Sequence, residues 1–366
     1  MKKNKTITKK KTGTTNKEVL SVIDAIRKEF KDDNIVTTAN NLAEYDTKGI
    51  QRIPTGSVQL DTDLGGGIPV GRVIQLSGEY SSTKTTQALH IIRNAQKMGL
   101  LCALMDFENT TDSKYLRQLE IDTDSLIYCN PSSLEEVTQL MQSLQEKGVK
   151  LIVWDSIAVS EPTKVLESET GESVQMGVKQ KLIGEYLAKF QSINNSFTRN
   201  GQMPCTLIAI NQVREKIGSY GDPTYEPGGR ALGFFQSILI RLRKGDWITE
   251  GKGDNKEVVG QVTKYKIVKN KTYKRMCTGE FDFYYADGNN ANVKGGFNDN
   301  FKSIIILALS YDLIQRGGAW FYINKGESNE QKFQGLEKLI EYFKENPSLI
   351  DYYKNKVIEI ESKVKA

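Results

Sequence analysis

Gly78-Glu79-Tyr80-Ser81-Ser82-Thr83-Lys84-Thr85 decides how the rest of this chain is read. The apolar run Val73-Ile74-Gln75-Leu76-Ser77 precedes it. A helical pattern follows, in which Ala88, Leu89, Ile91, Ile92, Ala95 and Met98 form one stripe. Strand, glycine-led turn and helix in that order make a phosphate-binding loop. Its backbone N–H groups would wrap the β- and γ-phosphates of a nucleotide, Lys84 would neutralise them, and the Thr85 hydroxyl would ligate magnesium. The usual spacing is G-x-x-x-x-G-K-S/T, and Thr83 stands where its second glycine belongs. A β-branched residue resists positive φ, so the loop must bend differently or absorb strain.

Working outward, composition sets bounds. The chain has 366 residues, 26% charged and 38% hydrophobic, enough for one large domain with smaller appendages. No apolar run has transmembrane length and no secretion signal is present, so a cytoplasmic protein without a membrane partner is expected. Cys102, Cys129, Cys205 and Cys277 are far apart and form no CxxC pair. They read as reduced thiols, neither disulfides nor a zinc site. His90 is the only histidine, which argues against Ser-His-Asp chemistry and multi-histidine metal centres, and its expected role is packing or surface. The net charge of +5 is too small to argue nucleic-acid binding by itself.

The chain divides by pattern. Residues 1–15 form a Lys- and Thr-rich basic tail expected to be disordered. Residues 16–50 hold an amphipathic helix, with Val19, Val22, Ile23, Ile26 and Phe30 at helical spacing, and then a polar linker. Such a lone helix needs a surface to pack on, its own domain or a neighbouring subunit. Residues 51–290 alternate strand-like and helix-like segments: Leu101–Met105, Leu134–Lys147, Leu151–Trp154, Met176–Thr198 and Thr206–Ile210. The fold class is therefore α/β, a mostly parallel sheet covered on both faces. Ile238–Arg243, Val258–Val268 and Phe281–Tyr285 predict an antiparallel extension, with Gly251–Asn255 as a hairpin turn. Residues 297–366 turn helical over Ile304–Leu309, Phe333–Phe343 and Leu349–Ile360, as expected of a small α+β domain.

Polar residues fall at the C-terminal ends of four apolar strands: the loop itself, Glu108, Asp155 and Gln212. Ligands of open parallel sheets bind outside those ends. Asp155 has the form of a carboxylate that holds magnesium, Glu108 that of a base orienting an attacking water, and Gln212 that of an amide sensing the γ-phosphate. Taken singly, each has a plainer reading: a helix-capping Asp, a surface Glu, an uninformative Gln. Together and in this order they favour an ATP site. Two long segments, about 161–177 and 213–229, have the composition of ligand-binding loops. The second carries Arg214, Lys216, Tyr220, Gly228 and Gly229, cations for phosphates and a tyrosine for bases.

At this point the chain resembles the RecA family of homologous recombinases, over roughly residues 16–345. The residues that carry the resemblance are Thr55-Gly56-Ser57, Leu60-Asp61 and Leu64–Gly71 before the loop, Asp106-Phe107-Glu108, Asp155-Ser156, Asn211–Gly218, Gly228-Gly229-Arg230-Ala231-Leu232, Val268-Lys269-Asn270-Lys271 and Gly318-Ala319-Trp320-Phe321. The resemblance implies a RecA-like ATPase core using ATP and Mg2+. Gly78, Glu79, Tyr80, Ser81, Ser82, Thr83, Lys84, Thr85 and Thr86 would line the nucleotide, Tyr115 would stack on adenine, and Thr85 and Asp155 would hold the metal. Glu108, Lys84 and Gln212 would be catalytic, joined in trans by Lys269 and Lys271 of a neighbouring copy. Met176, Gly177, Lys181, Arg214, Lys216, Tyr220, Gly228, Gly229 and Arg230 would contact DNA. The implied partners are single-stranded DNA, duplex DNA, further copies in a helical filament, and single-strand-binding or loader proteins. The implied activity is ATP-dependent strand exchange with DNA-stimulated hydrolysis. Thr83, Tyr80 in place of an acidic residue, and Ala188 in place of an arginine depart from the pattern. They leave an alternative, a catalytically weakened paralogue or mediator that coats single-stranded DNA. A helicase or signalling hexamer of the same superfamily is disfavoured by the Asn211–Gly218 stretch.

Overall fold

The computed structural model describes residues 16–38, 51–168, 177–215, 224–251, 256–274, 276–285 and 293–364. The basic tail, residues 39–50 of the linker, and Met176, Lys216 and Tyr220 lie outside them.

Four apolar strands that lie side by side in the sheet, Val73–Gly78, Cys102–Asp106, Leu151–Asp155 and Thr206–Gln212, are buried almost throughout. They have helices on both faces, which is why they read as continuous hydrophobic runs. The sheet has eight strands in the spatial order Thr278–Tyr284, Glu257–Asn270, Ile238–Glu250, Val73–Gly78, Thr206–Gln212, Leu151–Asp155, Cys102–Asp106 and Leu126–Cys129. The six from Ile238–Glu250 onward are parallel, and the first two pair antiparallel at the edge.

Strand alternation sorts the core into two layers. Ile74, Leu76, Leu104, Val153, Ile208 and Ile210 face the helix Lys84–Lys97, which returns Ala88, Leu89, Ile91, Ile92 and Ala95. The intervening residues Ala103, Met105, Ile152, Trp154, Leu207 and Ala209 face the helices Leu134–Glu146 and Val178–Arg199, which contribute Val137, Met141, Ile183, Leu187 and Phe190. A third cluster, with Ile304, Ile305, Phe321, Ile323, Leu339 and Phe343, joins the helix Asn300–Ser310 to a three-stranded antiparallel sheet and the helices Leu336–Glu345 and Ser348–Val364. Among described residues no helix is long and apolar enough to cross a membrane.

The departures from sequence expectation have local causes. Phe333 lies on the strand Gln331–Gln334, not in a helix that runs on to Phe343; Gly335 separates strand from helix with a φ of 85°. The strand expected over Ile238–Arg243 runs on to Glu250; its outer half is largely exposed and has no apolar run to mark it. Short elements without enough turns to show a period escaped notice: the helices Val58–Leu64, Ser113–Gln118 and Gly229–Phe235, and the strand Leu126–Cys129. The first two helices are announced only by caps, Ser57 and Asp112. His90 packs rather than facing water. It is fully buried, its Nε2 lies 2.8 Å from the Gly296 carbonyl, and its ring stacks on Phe297. All four cysteines are free.

Candidate active site

Register brings the polar strand ends level: Gly78 pairs with Gln212, and Asp106 with Asp155. Gly78 must be glycine. A Cβ there would sit 2.2 Å from the Leu242 carbonyl and 2.6 Å from Ser82 Oγ.

The loop then makes two left-handed bends, at Ser81 (φ 57°) and Thr83 (φ 63°). Of the two possibilities left by the sequence, the loop absorbs strain: Thr83 takes the backbone shape that glycine supplies freely, at a cost of about 1–2 kcal/mol. Tyr80 is 79% exposed at the loop's tip. Lys84 begins the following helix and points back into the loop, its Nζ donating to the Glu79 carbonyl at 2.6 Å and Ser82 Oγ at 3.3 Å. Burial lowers the Lys84 pKa, while Asp155, Glu108 and Glu79 oppose the shift.

Thr85 Oγ1 donates to Asp155 Oδ2 at 2.7 Å. Burial pushes the Asp155 carboxyl up to about 6, with Glu108 and Asp106 adding repulsion and the Thr85 hydroxyl and Lys84 opposing it. A hydroxyl and a carboxylate held side by side at the foot of a phosphate loop are the hard oxygen donors that magnesium takes. The residues therefore fit that ion.

Glu108 Oε1 accepts from Ser156 Oγ at 3.0 Å and from Gln212 Nε2 at 3.4 Å. Asp106, two residues earlier at the strand's end, shapes the segment that carries Glu108: its Oδ2 accepts from the N–H groups of Thr110 and Thr111 and from the Tyr128 hydroxyl. Tyr115 is half-buried, with its hydroxyl 3.1 Å from Thr86 Oγ1.

Both roots of the second long loop are fastened to this site. Asn211 Nδ2 donates to the Pro227 carbonyl at 2.6 Å, and the Val213 N–H donates to the Gly78 carbonyl. Glu226 Oε1 accepts from Ser77 Oγ at 3.2 Å and from Arg241 Nε at 2.7 Å, and both partners of that ion pair are 17% exposed. Between the roots, Arg214–Glu215 pairs antiparallel with Thr224–Tyr225. Gly228 (φ 110°) and Gly229 (φ 72°) turn the chain into the helix Gly229–Phe235, on which Arg230 is exposed. At the first loop, Gly177 (φ 100°) opens the long helix, and exposed Lys181 lies 3.9 Å from Glu185.

Lys269 and Lys271 are not brought to the loop. Their Nζ atoms donate to the Gly233 and Phe234 carbonyls at 2.6 and 3.2 Å. On its strand Lys269 lies six residues beyond Thr263, which touches the phosphate loop, a span of about 20 Å.

Sequence reasoning missed Glu226, whose partner Arg241 is distant in sequence, and Asp106 as a loop former. It also missed a cleft of about 580 Å³ lined by Arg241, Arg243, Lys264, Lys266 and Glu280. Alternation of cations along two paired strands was its available signal.

Two family models match, the RecA N-terminal domain over residues 17–290 and the RecA C-terminal domain over residues 302–362. Protein RecA of Cutibacterium acnes is 35% identical over 350 residues, 95% of this chain and 92% of its own. Protein RecA of Clostridium novyi is 35% identical over 347 residues, 94% and 91% of the two chains. For Protein RecA of Clostridium acetobutylicum the identity is 36% over 350 residues, covering 93% and 92%.

Proposed function

From the premise that the chain belongs to the RecA family and is a RecA-type recombinase, we propose that it couples ATP held at residues 78–86 to the grip of its second loop on single-stranded DNA. Family membership implies a DNA-dependent ATPase that uses ATP and magnesium. The observation that carries the finer reading is the bonded path Thr85–Asp155 and Glu108–Gln212, ending where the second loop begins.

In this reading Lys84 leaves its carbonyl partner for the phosphates, and the loop's N–H groups complete the cradle. Thr85 and Asp155 would hold magnesium, which supplies charge neutralisation of the phosphate oxygens. Glu108, kept in place by Ser156, orients the attacking water. Gln212 shares the Glu108 carboxylate and directly precedes Val213. A change at the γ-phosphate position therefore shifts the loop's root with no intermediary.

Arg214, Lys216, Tyr220, Gly228, Gly229 and Arg230, with Met176, Gly177 and Lys181 of the first loop, would follow the DNA backbone. Base pairing would read homology. The cationic cleft suits the phosphates of a second strand. Lys269 and Lys271, too far along their strand to serve their own loop, would complete the site of an adjoining copy. The exposed apolar side of helix Asn16–Phe30 would dock on that neighbour to build a filament.

The weakened-coat alternative drew on Thr83. Because Thr83 adopts the glycine-like bend, the cradle keeps its shape, which favours turnover. The test is phosphate release with and without single-stranded DNA, beside negative-stain images of the same sample. Stimulated hydrolysis on open helical filaments is expected, and both should vanish in Lys84→Ala. Closed rings, or a Lys84→Ala variant that still exchanges strands, would refute the reading.

A further inference from the structure

We propose that Gln261 and Thr263 are positioning residues for nucleotide binding, bracing the phosphate loop from the antiparallel strand behind it through the hydroxyl of Thr83. The inference rests on residues 78–86 being the nucleotide site.

Two non-glycine residues in left-handed bends, Ser81 and Thr83, persist only where neighbours over-determine the backbone. Here those neighbours are on one strand. Gln261 and Thr263, two residues apart and hence on one face, are both fully buried. Gln261 Nε2 donates to the Ser81 carbonyl at 3.1 Å and to Thr263 Oγ1 at 3.4 Å. Thr263 Oγ1 lies 3.3 Å from Thr83 Oγ1, and Thr83 Oγ1 donates to the Ser82 carbonyl at 2.7 Å.

The direction of every bond follows. The Thr83 hydroxyl spends its one proton on Ser82, so Thr263 must donate to Thr83, leaving a Thr263 lone pair for Gln261. The Tyr285 hydroxyl donates to Gln261 Oε1 at 2.5 Å, which fixes which way the amide faces. The chain of bonds ends on two loop carbonyls, Ser81 and Ser82. A planar trans peptide carries its N–H opposite its C=O. Drawing those carbonyls toward the strand therefore turns the N–H groups of Ser82 and Thr83 away from it, as a phosphate cradle requires. The side chain that makes Thr83 a poor fit for the bend is the one that anchors it.

A double-mutant cycle separates this brace from mere packing. Thr263→Val keeps the volume and removes the hydroxyl. In the otherwise native chain it should weaken equilibrium binding of a fluorescent ATP analogue about fivefold, with kcat at saturating ATP little changed. In a Thr83→Gly background the same change should cost less than about twofold. Equal losses in both backgrounds, or none in the native chain, would overturn the proposal.

A second comparison does not depend on tolerance of a buried substitution. Thr83→Ser should bind ATP as the native chain does and Thr83→Ala about fivefold more weakly; equal affinities would overturn the brace. Lys84→Ala is the control for the underlying site. If it leaves affinity intact, the nucleotide site itself is misassigned and the brace falls with it. If it abolishes binding while the cycle is additive, only the brace falls.

Discussion

At the residue scale, His90 shows how burial fixes a protonation state. Its Nε2 faces the Gly296 carbonyl, while its buried Nδ1 has no hydrogen-bond partner. A second ring proton would have no acceptor. Burial, and then the nearby Arg93 cation, lower its pKa from 6.5 to about 4, against the opposing pull of the Gly296 carbonyl and Glu120. The unfolded chain takes up this proton near pH 6.5 and the folded chain only near 4. Stability is therefore retained above the upper value and lost as pH falls through that window, by about 3 kcal/mol in all. Urea unfolding at about pH 7 and about pH 4.5 should show the native chain losing about 2–3 kcal/mol more than His90→Gln. Equal losses would mean that the ring is protonated in the fold. The burial of His90 was half legible: its place on the helix after the loop could be read, but a polar residue in that window marks no face. Thr83 was legible as an anomaly, yet its outcome turned on Thr263, which no local pattern connects to it.

At the element scale, the long strands and helices were readable because each has a sustained period: continuous apolar runs for the buried parallel strands, an i, i+3, i+4 stripe for the helix Lys84–Lys97. The strand-end placement of Glu108, Asp155 and Gln212 was readable by the same logic, since sheet topology forces strand ends into one crevice. Long-range pairs were not found. Glu226 closes the second loop against Arg241 and Ser77, and nothing in residues 213–229 names those partners. Glu226→Gln should destabilise the protein by about 2 kcal/mol, because it takes the carboxylate away from a mostly buried guanidinium, and should lower the stimulation of hydrolysis by single-stranded DNA. Adding Arg241→Leu should recover most of the stability in thermal melts without restoring the stimulation. A double variant no more stable than the single one would show that the pair is not the source of the loss.

At the scale of the whole molecule, the helix Asn16–Phe30 is the element least accounted for by its own fold. Ile23 is its buried residue, whereas Val19, Val22 and Phe30 of the same stripe are 37%, 58% and 58% exposed. In the filament proposed above, that exposed apolar face would be the surface that meets another copy. Val19→Glu with Val22→Glu should shift sedimentation with ATP and DNA from large assemblies to monomers, and should leave ATP binding by the monomer within about twofold of native. If assemblies persist, the helix docks elsewhere. If binding collapses as well, it belongs to its own core. The hydrogen bond from Asn211 to the Pro227 carbonyl has a consequence of another kind. It ties the two ends of the intervening stretch to each other. Because lengthening a closed loop adds only logarithmically to its entropy cost, that stretch can be exchanged as a cassette: the DNA preference proposed for it would be rewritten by transplanting a relative's segment, with the residues of the ATP site left as they stand.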